Sequence, residues 1–285
     1  MVRGVVVWGA VVALLAGSAA AADVVRFGPV VVAPHAEREV CEYRVLRFRR
    51  PGDLFVGYRY RVRGTSHHFI VRDASTALGH VDGLRDGGSA TCAEGGLPAY
   101  LNGVAQRGAF RFPPDVGLPW SDAQPVVLNL HIVNGTSRPM RGSAVVHLER
   151  RRRRPADRVA SYWQLYVGGF DVPPFTRATV GKSQTFATPV ELLLLATHMH
   201  VRGTRFTVTR DGAPWLEADD WRRPVVQPFV PPLAVPTGTR IDIACDYDNG
   251  VTQPVHLCDG APCALPEGPL ADDAMCTIVG FVIPP

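Results

Sequence analysis

His198 and His200 stand two residues apart in the stretch Leu192 to Val208, LLLLATHMHVRGTRFTV. The stretch begins apolar and continues with polar and apolar residues in alternation, the pattern of a β-strand. Residues i and i+2 of a strand point to one face, so the two imidazoles project together and Met199 points away. Paired neutral imidazoles can hold one metal ion, and they suit copper, zinc, iron and nickel. The same two histidines also fit hydrogen-bonded or solvent-facing roles, and His-x-His alone does not choose between them.

Three further segments carry residues of the same chemistry. Ser66-His67-His68-Phe69 follows an alternating stretch. Neighbours on a regular strand face opposite ways, so His67 and His68 reach one ion only near a strand end or bulge, or through different ring nitrogens. Val127-Leu128-Asn129-Leu130-His131 reads as an apolar strand ending on a histidine, ahead of the turn-like Asn134-Gly135. Three histidines from two strands would make a closed or nearly closed site, whereas His131 alone also fits a hydrogen-bonded core position. Met275 sits in Asp272-Asp273-Ala274-Met275-Cys276, a short loop that the cysteine can tie down. Its thioether is a soft ligand that favours Cu(I), although most methionines are core filler. His35, His80, His147 and His256 lack such company and read as surface or structural residues.

The elements that must position these groups are strands. Short alternating runs recur at Val24–Val32, Tyr43–Phe48, Leu54–Val62, His68–Val71, Val126–Val133, Ser143–Leu148, Phe206–Thr209 and Arg240–Cys245. Gly, Pro, Asn or Asp punctuate them, and no long 3.6-residue periodicity appears, which is the signature of all-β sandwiches. The charged run Glu149 to Arg158, with Pro155 inside it, is the best boundary. It divides the chain after the leader into an N-terminal domain, 23–154, and a C-terminal domain, 155–285.

Residues 1–22 read as a secretory signal: Arg3, then the apolar Val5 to Leu15, then Ala20-Ala21-Ala22 before Asp23. The alternative is a membrane anchor, since Gly4 to Ala22 is uncharged and about long enough to span a bilayer. The Ala- and Gly-rich second half favours cleavage, and nothing later resembles a transmembrane span. The expected location is therefore secreted or periplasmic. Lys182 is the single lysine among 30 basic residues. The dense run Arg150 to Arg154 reads as a solvated linker rather than a nucleic-acid patch, because no stacking aromatics are interleaved with it. Six cysteines, Cys41, Cys92, Cys245, Cys258, Cys263 and Cys276, suggest disulfides in an exported chain, with fifteen pairings open.

In order, His-His-Phe, Leu-Asn-Leu-His, His-x-His and Asp-x-Met-Cys resemble the motifs of the copper type II, ascorbate-dependent monooxygenases. This family includes peptidylglycine α-hydroxylating monooxygenase and dopamine β-monooxygenase. The likeness runs from about Cys41 to Ile283 and extends to Ser143–Arg150, Pro173-Pro174 and Gly203. It implies two consecutive antiparallel jelly-roll β-sandwich domains, each holding one copper, with the two sites facing across a solvent cleft. The first copper, for electron transfer, would take His67, His68 and His131. The second, where O2 and a substrate C–H bond meet, would take His198, His200 and Met275. Ascorbate or another one-electron reductant would be the co-substrate, and a small organic molecule the substrate. The implied disulfides are Cys41–Cys92, Cys245–Cys276 and Cys258–Cys263.

The division of ligands suits the chemistry. Inserting one oxygen atom needs two electrons from one-electron carriers. Three imidazoles tolerate both copper states, and two imidazoles with a thioether favour Cu(I). The chain also departs from the family. The peptide-amidating members hold the substrate carboxylate with an Arg, a Tyr and an Asn, whose places here are taken by Ala196, Val279 and Thr277. Asn129 replaces a Gln, and the amidating lyase domain and one cysteine pair are absent. The rival readings are a non-catalytic copper-binding or buffering protein and a β-sandwich interaction module with degenerate sites. Six intact ligands speak against the second of these rivals. Since a buried carboxylate without cationic or phenolic partners is costly, glycine-extended peptides are expected to turn over poorly. Efficient hydroxylation of such a peptide in a steady-state assay would mean that other residues supply the anchor.

Overall fold

The computed structural model describes residues 21–48, 50, 52–64, 66–75, 83–86, 99–103, 106–221, 223–268 and 272–285. Every regular element among them is a strand. The first half contains β1 (Ala21–Val32), β2 (Ala36–Arg47), β3 (Asp53–Arg63), β4 (Ser66–Asp73), β5 (Gly83–Asp86), β6 (Ala99–Gly103), β7 (Arg107–Arg111), β8 (Val116–Pro119), β9 (Ala123–Asn134), β10 (Met140–Arg152) and β11 (Arg158–Val159). The second contains β12 (Ser161–Val167), β13 (Asp171–Val172), β14 (Thr176–Thr185), β15 (Val190–Met199), β16 (Gly203–Arg210), β17 (Ala213–Ala218), β18 (Val226–Val235), β19 (Arg240–Asn249), β20 (Leu257–Cys258), β21 (Ala261–Pro262), β22 (Leu265–Pro266) and β23 (Cys276–Ile283).

Each half is a sandwich of two sheets. In the first, the order β1-β10-β3-β8-β11, with β7 also on β3, faces the order β5-β2-β9-β4-β6. In the second, β12-β23-β15-β18 faces β14-β19-β16-β17. Alternation drives this arrangement. On β10, Ala144, Val146 and Leu148 are buried while the residues between them are not. They meet Phe69, Leu128 and Ile132 of the opposite sheet. Trp163, Leu165, Leu195, Phe206, Ile243 and Ile278 form the second core in the same way. The jelly-roll expectation is thus met.

The chain passes between the halves over Arg153 to Ala160. β11 still pairs, in parallel, with β8 of the first sandwich, and the second sandwich begins at Ser161. The arginine run at this passage is not simply solvated. Arg150 is 3% exposed, with its guanidinium 4.0 Å from the centre of the Phe48 ring. Arg151 and Arg154 both bind the Asp157 carboxylate. Pairing extends β10 through Arg152, and that extension carries the first arginines of the run onto protein surface.

The two sandwiches share an apolar seam. Phe281 of β23 lies 5.6 Å from the Phe110 ring and 5.0 Å from that of Phe112, both in the first half. Leu193 and Ile283 join the first core from the second half. Arg158 spans the junction with Asp115 at 2.8 Å and Glu191 at 2.7 Å.

Two disulfides are formed among the described residues, Cys245–Cys276 and Cys258–Cys263, as the resemblance implies. Cys41 is also disulfide-bonded; its expected partner Cys92 lies outside the described residues. Such bonds belong to chains that mature in oxidising surroundings. Among the described residues, no helix is long and apolar enough to cross a membrane. The expected signal lies outside the described residues except for Ala21 and Ala22, which open β1.

Asp248 closes β19 onto the loop that follows. Its carboxylate accepts from the Val251 N–H at 2.8 Å, the Thr252 hydroxyl at 2.6 Å and Arg177 Nε at 2.9 Å. Burial works to raise its pKa, but the hydrogen bonds from Thr252, Arg177 and Val251 hold it well below the usual carboxylate range. A depressed carboxylate stabilises the fold above its ordinary pKa, and this contribution is lost as pH falls through the folded value. Asp248→Asn is therefore expected to cost roughly 2 kcal/mol near neutral pH. The gap to wild type in urea midpoint should narrow as pH falls through the carboxylate range; a pH-independent gap would refute the linkage.

Candidate metal centre

The first histidine set is built across three adjacent strands. β9 lies between β2 and β4, and the register puts Glu39 of β2 and His68 of β4 on either side of His131. Directly opposed residues share a face, and the His68 and His131 rings lie 5.2 Å apart at 75°. Asn129, two residues before His131, shares that face. His68 Nε2 is 2.6 Å from Asn129 Oδ1 and 3.4 Å from Glu39 Oε1. Asn129 Nδ2 donates to Glu39 Oε1 at 2.8 Å, which fixes the orientation of the amide. Both partners of His68 Nε2 are then acceptors, so this nitrogen carries the proton. His131 Nε2 likewise faces Glu37 Oε2 at 2.8 Å. Both rings therefore present Nδ1 as the atom with a lone pair, the arrangement by which outer carboxylates orient ligating histidines.

Electrostatics agree with a neutral His68 ring. Burial pushes the His68 pKa down against the pull of Glu39, and neutral imidazole is the form that ligates. Burial would raise the Glu39 carboxyl, but contacts with His68 and Asn129 leave it lowered and charged. The strand ladder shifts register between Ser66 and His68, so β4 has an irregularity at His67. The His67 side chain lies outside the described part of the structure. Glu37 and Glu39 were not singled out in the sequence. Their i, i+2 spacing was the available signal, but their partners are set by pairing with a distant strand.

The second set lies on β15 and β23. His198 is opposite Thr277, and Met199 is opposite Cys276. Continuing this register by one residue sets His200 opposite Met275, on the face that carries His198. The two rings lie 5.0 Å apart and perpendicular. Met199 and Cys276 point the other way, into the second core. His200 is fully buried. Burial draws His198 down to about 4, with a smaller push from the charge of His68, so its ring is neutral at neutral pH.

Several contacts fix the backbone around these candidate ligands. The Tyr247 hydroxyl donates to the Met275 carbonyl at 2.5 Å, and Cys276 is bonded to Cys245 on the same strand as Tyr247. Ala274 N–H donates to Pro266 O at 2.8 Å. Arg202 is buried, pairs with Asp272 and donates to Pro254 O at 2.8 Å. The turn after His200 closes with Gly203 N–H on His200 O at 3.0 Å. Only glycine fits there, because a Cβ at Gly203 would stand 2.8 Å from Met199 Sδ and 2.9 Å from His200 O.

The second set lies at the seam, within electrostatic reach of the first. The β15–β23 face that holds His198 also holds Leu194 and Phe281, which pack on the first half. His68 adds a smaller push to the lowering at His198, and Arg72 of β4 interacts electrostatically with Tyr162 of β12. Ala196 is opposite Val279 on this face. Thr277 accepts a hydrogen bond from Gln164 Nε2 at 3.1 Å and donates to Leu165 O at 3.2 Å. The wall beside His198 is thus neutral and partly apolar, and Gln164 is a polar member of it that the sequence did not reveal.

His256, Cys258 and Cys263 also bring three donor atoms within 4.8 Å of one another. Both sulfurs are spent in the Cys258–Cys263 bond, and His256 Nδ1 is 3.0 Å from Asp272 Oδ2. The cluster is structural: it ties its loop to the carboxylate that Arg202 holds. His80 lies outside the described residues, and His35 occupies a turn at φ 50°.

No protein-family model and no curated protein matches the chain. Among solved structures, the major capsid protein P2 of bacteriophage PM2 is similar at TM-score 0.37 and 10% identity, covering 93% of this chain and 98% of that one. PNGase F, a glycosylasparaginase from Flavobacterium meningosepticum, gives 0.39 and 7%, covering 92% and 96%. The STIV major capsid protein gives 0.39 and 7%, covering 92% and 97%. None of the three is named for metal or redox chemistry, and at these scores nothing about a site carries over from them.

The contacts at Met275 make separate stability predictions. Cys245→Ser with Cys276→Ser opens a 31-residue separation and is expected to cost roughly 3–4 kcal/mol in the chain-entropy model. Tyr247→Phe removes one hydroxyl and should cost roughly 1 kcal/mol. Chemical denaturation reads both, and a Tyr247→Phe midpoint equal to wild type would remove that hydrogen bond from the account.

Proposed function

We propose that this chain is an exported dicopper monooxygenase that hydroxylates a C–H bond of a small organic substrate. The balance is R–H + O2 + 2e⁻ + 2H⁺ → R–OH + H2O, with ascorbate or another one-electron reductant supplying the electrons. The observation that carries this reading is the pair of imidazole sets, one on each sandwich, the first with its tautomers fixed so that both described rings offer Nδ1.

The donors fit copper. His68 and His131, with His67, would hold one ion through imidazole alone. His198, His200 and Met275 would hold the other, with the softer donor favouring the reduced state. When bound, copper supplies the one-electron redox chemistry and the activation of O2. The protein's own groups have positional tasks. Glu39, Asn129 and Glu37 fix ring tautomer and orientation in the first set. The Cys245–Cys276 bond and Tyr247 hold the Met275 backbone in the second. Ala196 and Val279 offer an uncharged surface beside His198, which suits an apolar substrate portion better than a carboxylate.

Purified protein is expected to bind two coppers and to consume O2 with ascorbate in the presence of a substrate. His67→Ala should lower the stoichiometry at the first set. Met275→Ala should weaken only the second, leave the first reducible by ascorbate and abolish substrate-coupled O2 uptake. Two tightly bound coppers that never couple O2 to product across a broad panel would instead identify a copper-binding protein. Undiminished coupled turnover by Met275→Ala would remove that residue from the chemistry.

A further inference from the structure

The outward face of β1, β10, β3 and β7 carries a groove of ≈ 910 Å³. Arg26, Arg59, Arg61, Arg63, Arg107 and Arg141 line it. Alternation puts them there: on β3, Tyr58, Tyr60 and Val62 are buried, while the three arginines between and after them are exposed. The registers bring them together. Arg26 and Arg61 both pair with Val145, and Arg61 is directly opposite Arg107. No carboxylate lines the groove, and none of the six arginines is ion-paired among the described residues. The other paired arginines behave differently, as Arg111 meets Glu149, Arg177 meets Asp248 and Arg205 meets Glu217.

Folding does not account for this cluster. Like charges directly opposite across strands destabilise a sheet. The whole chain carries a formal charge of +4, so without these six arginines the remainder would be −2. The basic character of the molecule is concentrated on one face, and that face lies on the outer sheet of the first sandwich rather than at the histidine sets.

We propose that this groove docks the protein on an anionic phospholipid surface, its guanidinium groups taking headgroup phosphates. Planar guanidinium forks match phosphate oxygens in pairs, and basic clusters bind anionic leaflets. The same face exposes apolar side chains: Val24 is 44% and Val31 is 50% exposed, and Val31 pairs with Arg141. Cationic groups flanked by exposed aliphatic ones fit the boundary between headgroups and acyl chains. A single-stranded nucleic acid would need exposed aromatic faces for stacking. The aromatics at the groove, Phe27 and Tyr60, are buried.

The test is co-sedimentation of the full chain with vesicles of phosphatidylcholine alone or mixed with phosphatidylglycerol. Binding is expected only to the mixed vesicles, and it should be lost at about 1 M salt, where the Debye length is about 3 Å. The combined substitution Arg59→Gln, Arg61→Gln, Arg63→Gln should weaken partitioning roughly 100-fold, at about five-fold per basic residue. Removing the same charge elsewhere with Arg205→Gln, Arg223→Gln, Arg240→Gln should leave it unchanged. If the first variant does not fold, Arg26→Gln with Arg141→Gln reads the same face at roughly 25-fold. Equal loss in the groove and control variants, equal binding to neutral vesicles, or no binding to anionic ones would overturn the proposal. So would tighter binding to a single-stranded DNA oligonucleotide than to vesicles. None of these readouts depends on copper, so this proposal and the monooxygenase reading fail separately.

Discussion

The pairing of β15 with β23 is the constraint on which the second sandwich and its junction with the first both depend. Its register sets His198 against Thr277 and Met199 against Cys276, one residue short of His200 and Met275. At its other end, the same face offers Phe281 to Phe110 and Phe112. The opposite face sends Cys276 to Cys245 and Met199 into the core. A slip of one residue would exchange the two faces, taking the histidines off the seam and burying them among Trp163 and Ile278. Packing at Phe281, worth roughly 3–5 kcal/mol for a buried aromatic, and the covalent bond at Cys276 therefore both defend the position of the candidate ligands.

A bulge reconciles two demands on β15. The register shifts between Leu192 and Leu194. Leu192 and Leu195 join the second core, whereas Leu193 and Leu194 pack with the first. A regular strand sends consecutive residues to opposite faces; the extra residue lets adjacent leucines serve one side. The seam between the sandwiches is consequently apolar at one end and polar at the other, where Arg72, Tyr162, His68 and His198 interact. His68, His131 and His200 are buried, and hydrogen-bonding groups lie beside the first two. This is the environment in which outer carboxylates such as Glu39 have most effect on a ligating ring.

The two faces of the first sandwich have separate tasks. Its inner sheet, β5-β2-β9-β4-β6, holds Glu37, Glu39, Asn129, His68 and His131 in one network. Its outer sheet presents to solvent six guanidinium groups that have no ion-pair partner among the described residues. The proposed lipid-docking face and the first histidine set therefore lie on different sheets of the first sandwich.

Much of the fold was legible in the chain. Alternation over Val24–Val32, Leu54–Val62, Val126–Val133 and Arg240–Cys245 marks half-buried strands because period two is a local property of extended backbone. Strands without a buried apolar face stayed hidden. β14 is largely exposed, and β18 contains Pro228, Pro231 and Pro232, which it tolerates as the edge strand beside β15. β2 reaches back to Ala36 through the polar Glu37-Arg38-Glu39, and this polar start hid both carboxylates. The sequence by itself determined the candidate ligand types, their i, i+2 spacing and the cysteines available to fix them. Only the tertiary structure decided that Glu39 and Glu37 orient the rings, that the two sets share one seam and that six arginines converge on one face. Each of these rests on side chains brought together by strand register or sandwich packing from distant parts of the chain, and no local pattern encodes such pairings.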